Sequence, residues 1–153
     1  MKVDKKFVEV YNETFKFIRK IGGIECLISY FRKIAPIILG DLDEAVNKEG
    51  LIGAFKYWKK VLTLEGCGYD LKMNSAEDSR FGKDLKLDIN QCSSKNHLVD
   101  PSPDYCRHCS IMYKELFTKY GYDFELINRG PASCTITIKD SITKDSIPTE
   151  EKE

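Results

Sequence analysis

Between Asp4 and Gly66 the apolar side chains recur at spacings of three and four, which predicts helices packed on one face. Phe7, Val8, Tyr11, Phe15 and Ile18 form the first such stripe, with Asp4 placed to cap it. Gly22 and Gly23 interrupt the pattern, and Ile24, Leu27, Ile28, Phe31 and Ile34 resume it in a second helix expected to stop ahead of Pro36. Ile37, Ile38, Leu42, Ala45 and Val46 predict a third helix terminated by Gly50. Leu51, Ala54, Phe55, Trp58 and Leu62 predict a fourth, closed by Gly66.

The period then changes from helical to alternating. Tyr69, Leu71 and Met73 alternate with polar residues, residues 74–80 read as a turn, and Leu85, Leu87 and Ile89 alternate again, as in a half-buried hairpin. Residues 103–120 return to helical spacing, with Ile111, Met112, Leu116 and Phe117 on one side and Gly121 past the end. Two strands follow, residues 122–127 and then Cys134, Ile136 and Ile138 alternating with Thr135 and Thr137. The expected fold is therefore α+β. An N-terminal helical layer packs on an antiparallel four-stranded sheet, with one helix inserted between strands two and three. Residues 1–139 form a single domain on this reading, and residues 140–153 a polar, frayed tail.

Composition narrows the function classes. At 153 residues, 42% hydrophobic and 31% charged, the chain is long enough for an apolar core without staples. With 24 basic and 24 acidic side chains it has no electrostatic drive toward nucleic acid or an anionic membrane surface. The N-terminal stretch mixes acids and bases, which argues against a secretion signal and for the cytoplasm. The six cysteines are then expected to be reduced, so metal binding, catalysis or packing must account for them. The aromatic helix faces also suit a homodimer.

The sharpest motif is Asp104, Tyr105, Cys106, Arg107, His108 and Cys109, a C-x-x-C at the start of a helix after the loop Asp100, Pro101, Ser102 and Pro103. A helix N-terminus favours a thiolate, so Cys106 is expected to be more acidic than a free thiol, and Cys109 shares its face. Cys92 ends one strand and Cys134 opens the last, in phase with Ile136 and Ile138. If those strands are neighbours, four thiols meet, a set that tetrahedral zinc accepts. Plain packing is the competing account, and it is the preferred one for Cys26 and Cys67. His97 and His108 read first as surface residues, and Asp100 and Asp104 as caps. Thiol–disulfide exchange at Cys106 and Cys109 is a weaker alternative, because the motif does not follow the βα turn of a thioredoxin-like unit.

The succession of Cys92, the Pro-containing loop, the motif from Asp104 to Cys109, Gly121, Tyr122, Gly130 and the run from Cys134 to Ile138 resembles the L-2-amino-thiazoline-4-carboxylic acid hydrolase-like proteins. It is also similar, more distantly, to the vinyl-4-reductase domain, a helix-plus-antiparallel-sheet ligand-binding module. Ile136 stands where that module has an aromatic residue, and Ser93 follows Cys92 where the hydrolase-like group has Pro. The first resemblance implies hydrolytic opening of a cyclic amidine, with Cys106 as nucleophile, His108 or His97 as proton shuttle and Asp104 orienting the imidazole. The second implies a non-catalytic sensory module binding a small ligand, or zinc held by Cys92, Cys106, Cys109 and Cys134.

Overall fold

The computed structural model describes residues 4–74 and 84–140. The expected α+β architecture is present: helices first, then a four-stranded antiparallel sheet. Helix α1 (Lys5–Ile38) starts where Asp4 accepts hydrogen bonds from the backbone N–H groups of Lys6 and Phe7. It is two arms rather than one rod. Gly23 has φ 72° and ψ −170°, a conformation that only glycine adopts cheaply, and the chain folds back there. As a result the rings of Phe15 and Phe31, which a straight helix would hold more than 20 Å apart, meet at 4.7 Å.

The second arm does not stop before Pro36. The helix continues through it to Ile38, and Leu39 N–H bonds to Ala35 C=O. Proline removes one helical bond, but Ala35 and Leu39 on either side are both buried, and that packing carries the last turn. Ile37 and Ile38 accordingly end α1 and face outward instead of opening the next helix. Helix α2 (Gly40–Glu49) and helix α3 (Leu51–Glu65) meet at Gly50, whose φ is 60°. Gly66 closes α3 in the left-handed conformation.

Strands β1 (Gly68–Asn74), β2 (Asp84–Gln91), β3 (Tyr122–Gly130) and β4 (Ser133–Asp140) are ordered β1-β2-β4-β3. Asn74 belongs to β1 and Asp140 to β4, while the remainder of the expected turn and of the expected tail lies outside the described residues. The short helix α4 (Ser93–Asn96) and helix α5 (Arg107–Lys119) connect β2 to β3. Helix α5 begins later than the pattern predicts; ahead of it, bonds from Tyr105 N–H to Ser102 C=O and from Arg107 N–H to Asp104 C=O make tighter turns.

Register sorts the inner face of the sheet into rows. Met73, Leu85, Ile138 and Phe124 form one row, and Leu71, Leu87, Ile136 and Leu126 the next. A third row runs Tyr69, Ile89, Cys134 and Asn128. Leu85, Leu87, Ile136 and Ile138 are fully buried, each contributing about 1.5–3 kcal/mol through removal from water. Trp58 of α3 and Phe117 of α5 close over them with ring centroids 5.6 Å apart, and Phe117 stacks on Phe124. No helix among the described residues is long and apolar enough to cross a membrane.

Candidate functional site: a cysteine-lined cavity

Over the second and third rows the sheet and helices enclose a cavity of about 840 Å³. Its walls come from the first turns of α1, from α3, from the start of α5 and from the sheet's inner face. Five of the six cysteines line it: Cys67, Cys92, Cys106, Cys109 and Cys134. Cys92, Cys106, Cys109 and Cys134 thus all line the same cavity. Cys26 lies outside, exposed on α1.

Strand pairing explains how sulfurs distant in sequence meet. Gly68 pairs with Gln91, which sets the preceding Cys67 beside the end of β2, where its Sγ lies 3.3 Å from Ser93 Oγ. Cys92 N–H donates to Ala132 C=O at 2.8 Å, tying the end of β2 to the β3–β4 turn, while Ile89 pairs with Cys134. Arg129 holds this corner, donating to the carbonyls of Ile89 and Cys134, both at 3.1 Å. The inclusion of Cys67 was not read from the sequence; the signal for it was its place next to a strand pair whose register only the structure supplies.

The loop that presents the C-x-x-C is fastened to α1. Asn12, buried in the first arm, donates to Asp100 C=O at 3.0 Å and accepts from Ser102 N–H at 2.8 Å. Lys16 pairs with the Asp100 carboxylate, and Arg19 and Arg107 with the two oxygens of Asp104. Neither aspartate caps α5. Its N-cap is Cys106, which has helical backbone angles and makes no capping bond, because the carboxylates are drawn to the cations instead.

His108 is half-buried and packs against the rings of Tyr11, Phe15, Phe31 and Tyr105, against the expectation of a surface residue. Burial lowers its pKa to about 4, so the ring is neutral at pH 7. Its Nδ1 faces Tyr105 C=O, which can only accept, and this assigns the ring proton to Nδ1. Nε2 is then a lone pair, 3.4 Å from Cys109 Sγ. Burial, reinforced by the neighbouring thiols, raises the Cys109 pKa well above the ordinary value. The result is a neutral pair in which the Cys109 thiol donates to His108. Asp104, engaged by the two arginines, is not the residue bonded to this imidazole, and Cys106 is not the sulfur that meets it. Cys106 accepts instead from Lys95 Nζ at 3.3 Å. His97 ends α4 and is not among the cavity residues.

Burial raises the Cys92 thiol and pushes Cys134 up to about 11. Tyr11 has its hydroxyl buried with no hydrogen-bond partner among the described residues. A thiolate zinc centre needs sulfurs closing on one point, and among the described residues no group of three or more His, Cys, Asp or Glu is arranged to hold a metal ion. The thiols share a wall without forming such a cluster, and no chemistry below is routed through a metal.

No protein-family model matches the chain, and no curated protein matches it either.

Proposed function

We propose that the chain is a small-molecule binding protein whose ligand fills the cysteine-lined cavity, the role implied by the likeness to the vinyl-4-reductase domain. The observation that carries this is the cavity itself. Its 840 Å³ lies within the 300–1,000 Å³ typical of ligand sites, with aromatic and sulfur walls and few polar groups. The six unpaired cysteines support a reducing, cytoplasmic setting. Titration with the neutral fluorophore N-phenyl-1-naphthylamine tests it. The native protein should bind one equivalent, and Cys134→Phe, which fills the cavity from the sheet side, should remove binding while the protein stays folded. Binding unaffected by that variant would refute the reading.

One observation favours a second reading, hydrolysis of a cyclic amidine. Cys109 and His108 form a thiol–imidazole pair on the cavity wall; in such a reaction Cys109 would pass its proton to His108 Nε2 as its sulfur added to the amidine carbon, the ring C–S bond would break with that proton going to the departing sulfur, and water would then displace Cys109 to release the carbamoyl product. Burial opposes that charge separation, which is why binding is preferred. Incubation with L-2-amino-thiazoline-4-carboxylate decides it: turnover abolished by Cys109→Ser and retained by Cys106→Ser would establish the hydrolase, and no turnover in the native protein would dismiss it.

A further inference from the structure

We propose that the ligand carries a single anionic group, a carboxylate or sulfonate, and that Lys95 receives it. This rests on the binding reading above and adds the ligand's chemical class. Among the described residues that line the cavity, Lys95 is the sole cation; His108 is neutral, and the other charged types are Asp4 and Glu65. Lys95 is half-buried and has no carboxylate within 4 Å among the described residues. Its ammonium meets the sulfur of Cys106 at 3.3 Å.

A sulfur is a weak acceptor, and a partly desolvated ammonium facing it is under-satisfied. The other half-buried lysine among the described residues, Lys16, pairs with both Glu13 and Asp100. Lys95 is also positioned rather than loose. Cys92 N–H donates to Ala132 C=O at 2.8 Å, which ties the start of α4 to the β3–β4 turn at the cavity edge, and Cys92 C=O accepts from Asn96 N–H at 3.0 Å within α4. An apolar body against Trp58, Met112 and Leu126 with one acceptor-only head at Lys95 matches this distribution.

A matched pair of probes separates charge from shape. N-Phenyl-1-naphthylamine is neutral, and 8-anilinonaphthalene-1-sulfonate is the same skeleton with a sulfonate. The sulfonate should bind at least tenfold more tightly to the native protein. Lys95→Met should erase that advantage and leave the neutral probe's affinity within twofold, while Lys95→Arg should keep most of it. Equal affinities in the native protein, or a loss for both probes in Lys95→Met, would overturn the assignment of charge and leave the binding reading standing. If neither probe binds, or Cys134→Phe displaces neither, the cavity reading falls and this inference with it.

Discussion

The Asn12 carboxamide and the Ser102 backbone N–H, 90 positions apart, are joined at 2.8 Å inside the protein. The bond fixes the loop ahead of the C-x-x-C, and the Asn12 amide secures it a second time through Asp100 C=O. Asn12→Ala removes both and leaves a buried N–H without an acceptor, at about 1–3 kcal/mol for that group alone. We expect a total loss of roughly 2–4 kcal/mol, read as a fall in Tm of roughly 5–15 °C. A fall of under a degree would mean that the loop is held mainly by its ion pairs.

Stability should depend on pH through His108. Burial lowers its folded pKa to about 4 from the ordinary value of 6.5. Between those values the unfolded chain binds more protons, so stability is fully present above pH 6.5 and declines as pH falls toward 4, by roughly 3 kcal/mol in all. Asp43, Asp88 and Glu44 are held below their ordinary values by Lys119, Thr135 and Lys48 and act only at lower pH. Glu65, whose pKa burial raises, acts in the opposite sense above pH 4.5, gaining stability as pH falls, so the histidine's part is the difference between the native protein and His108→Phe. Urea midpoints that fall from pH 6.5 to 5 relative to those of His108→Phe would agree; parallel profiles would not.

Close packing between α2 and α3 depends on Gly53. A Cβ there would lie 2.0 Å from Ala45 C=O, a backbone atom that cannot step aside. Gly53→Ala should lose at least the roughly 1–3 kcal/mol typical of an overpacked core, in spite of alanine's better helix propensity. Gly40→Ala, which meets nothing within 4 Å, is the control and should be neutral or stabilising. Equal Tm values for the two variants would contradict the packing described.

Removing the orphan hydroxyl of Tyr11 should help. Tyr11→Phe keeps the ring between Phe7 and Phe15 and deletes a buried O–H that has no partner among the described residues. A gain of about 1 kcal/mol in chemical denaturation is expected. A comparable loss would reveal an acceptor for that hydroxyl.

The thiols should differ in reactivity. Iodoacetamide at pH 8 should modify exposed Cys26 first and spare Cys109, which is half-buried and has a strongly raised pKa. Peptide mass spectrometry over time gives the order, and early labelling of Cys109 would show that the cavity wall opens freely.

Local signals were readable from the chain, and long-range ones were not. The Gly23 break, the Asp4 cap, the Gly66 stop and the alternation in β2 and β4 each depend on residues within a few positions of one another. Pro36 was misread because burial of Ala35 and Leu39 outweighs one missing helical bond. At the site, the motif pointed to the right wall, but partner choice did not follow from spacing. The resemblance implied that Asp104 orients an imidazole, whereas Arg19, in a different element, and Arg107 claim the aspartate. Lys95 carried no sequence signal at all, since its relation to Cys106 exists only once α4 has folded against α5.

The Gly23 turn has a consequence for the order of events during synthesis. Phe15 and Phe31 can meet as soon as the second arm of α1 leaves the ribosome, because the loop between them is short. Asn12, on the first arm, must wait for Ser102. At 5–20 residues per second that wait is roughly 5–18 s, during which a nascent helical hairpin displays a polar group destined for the interior.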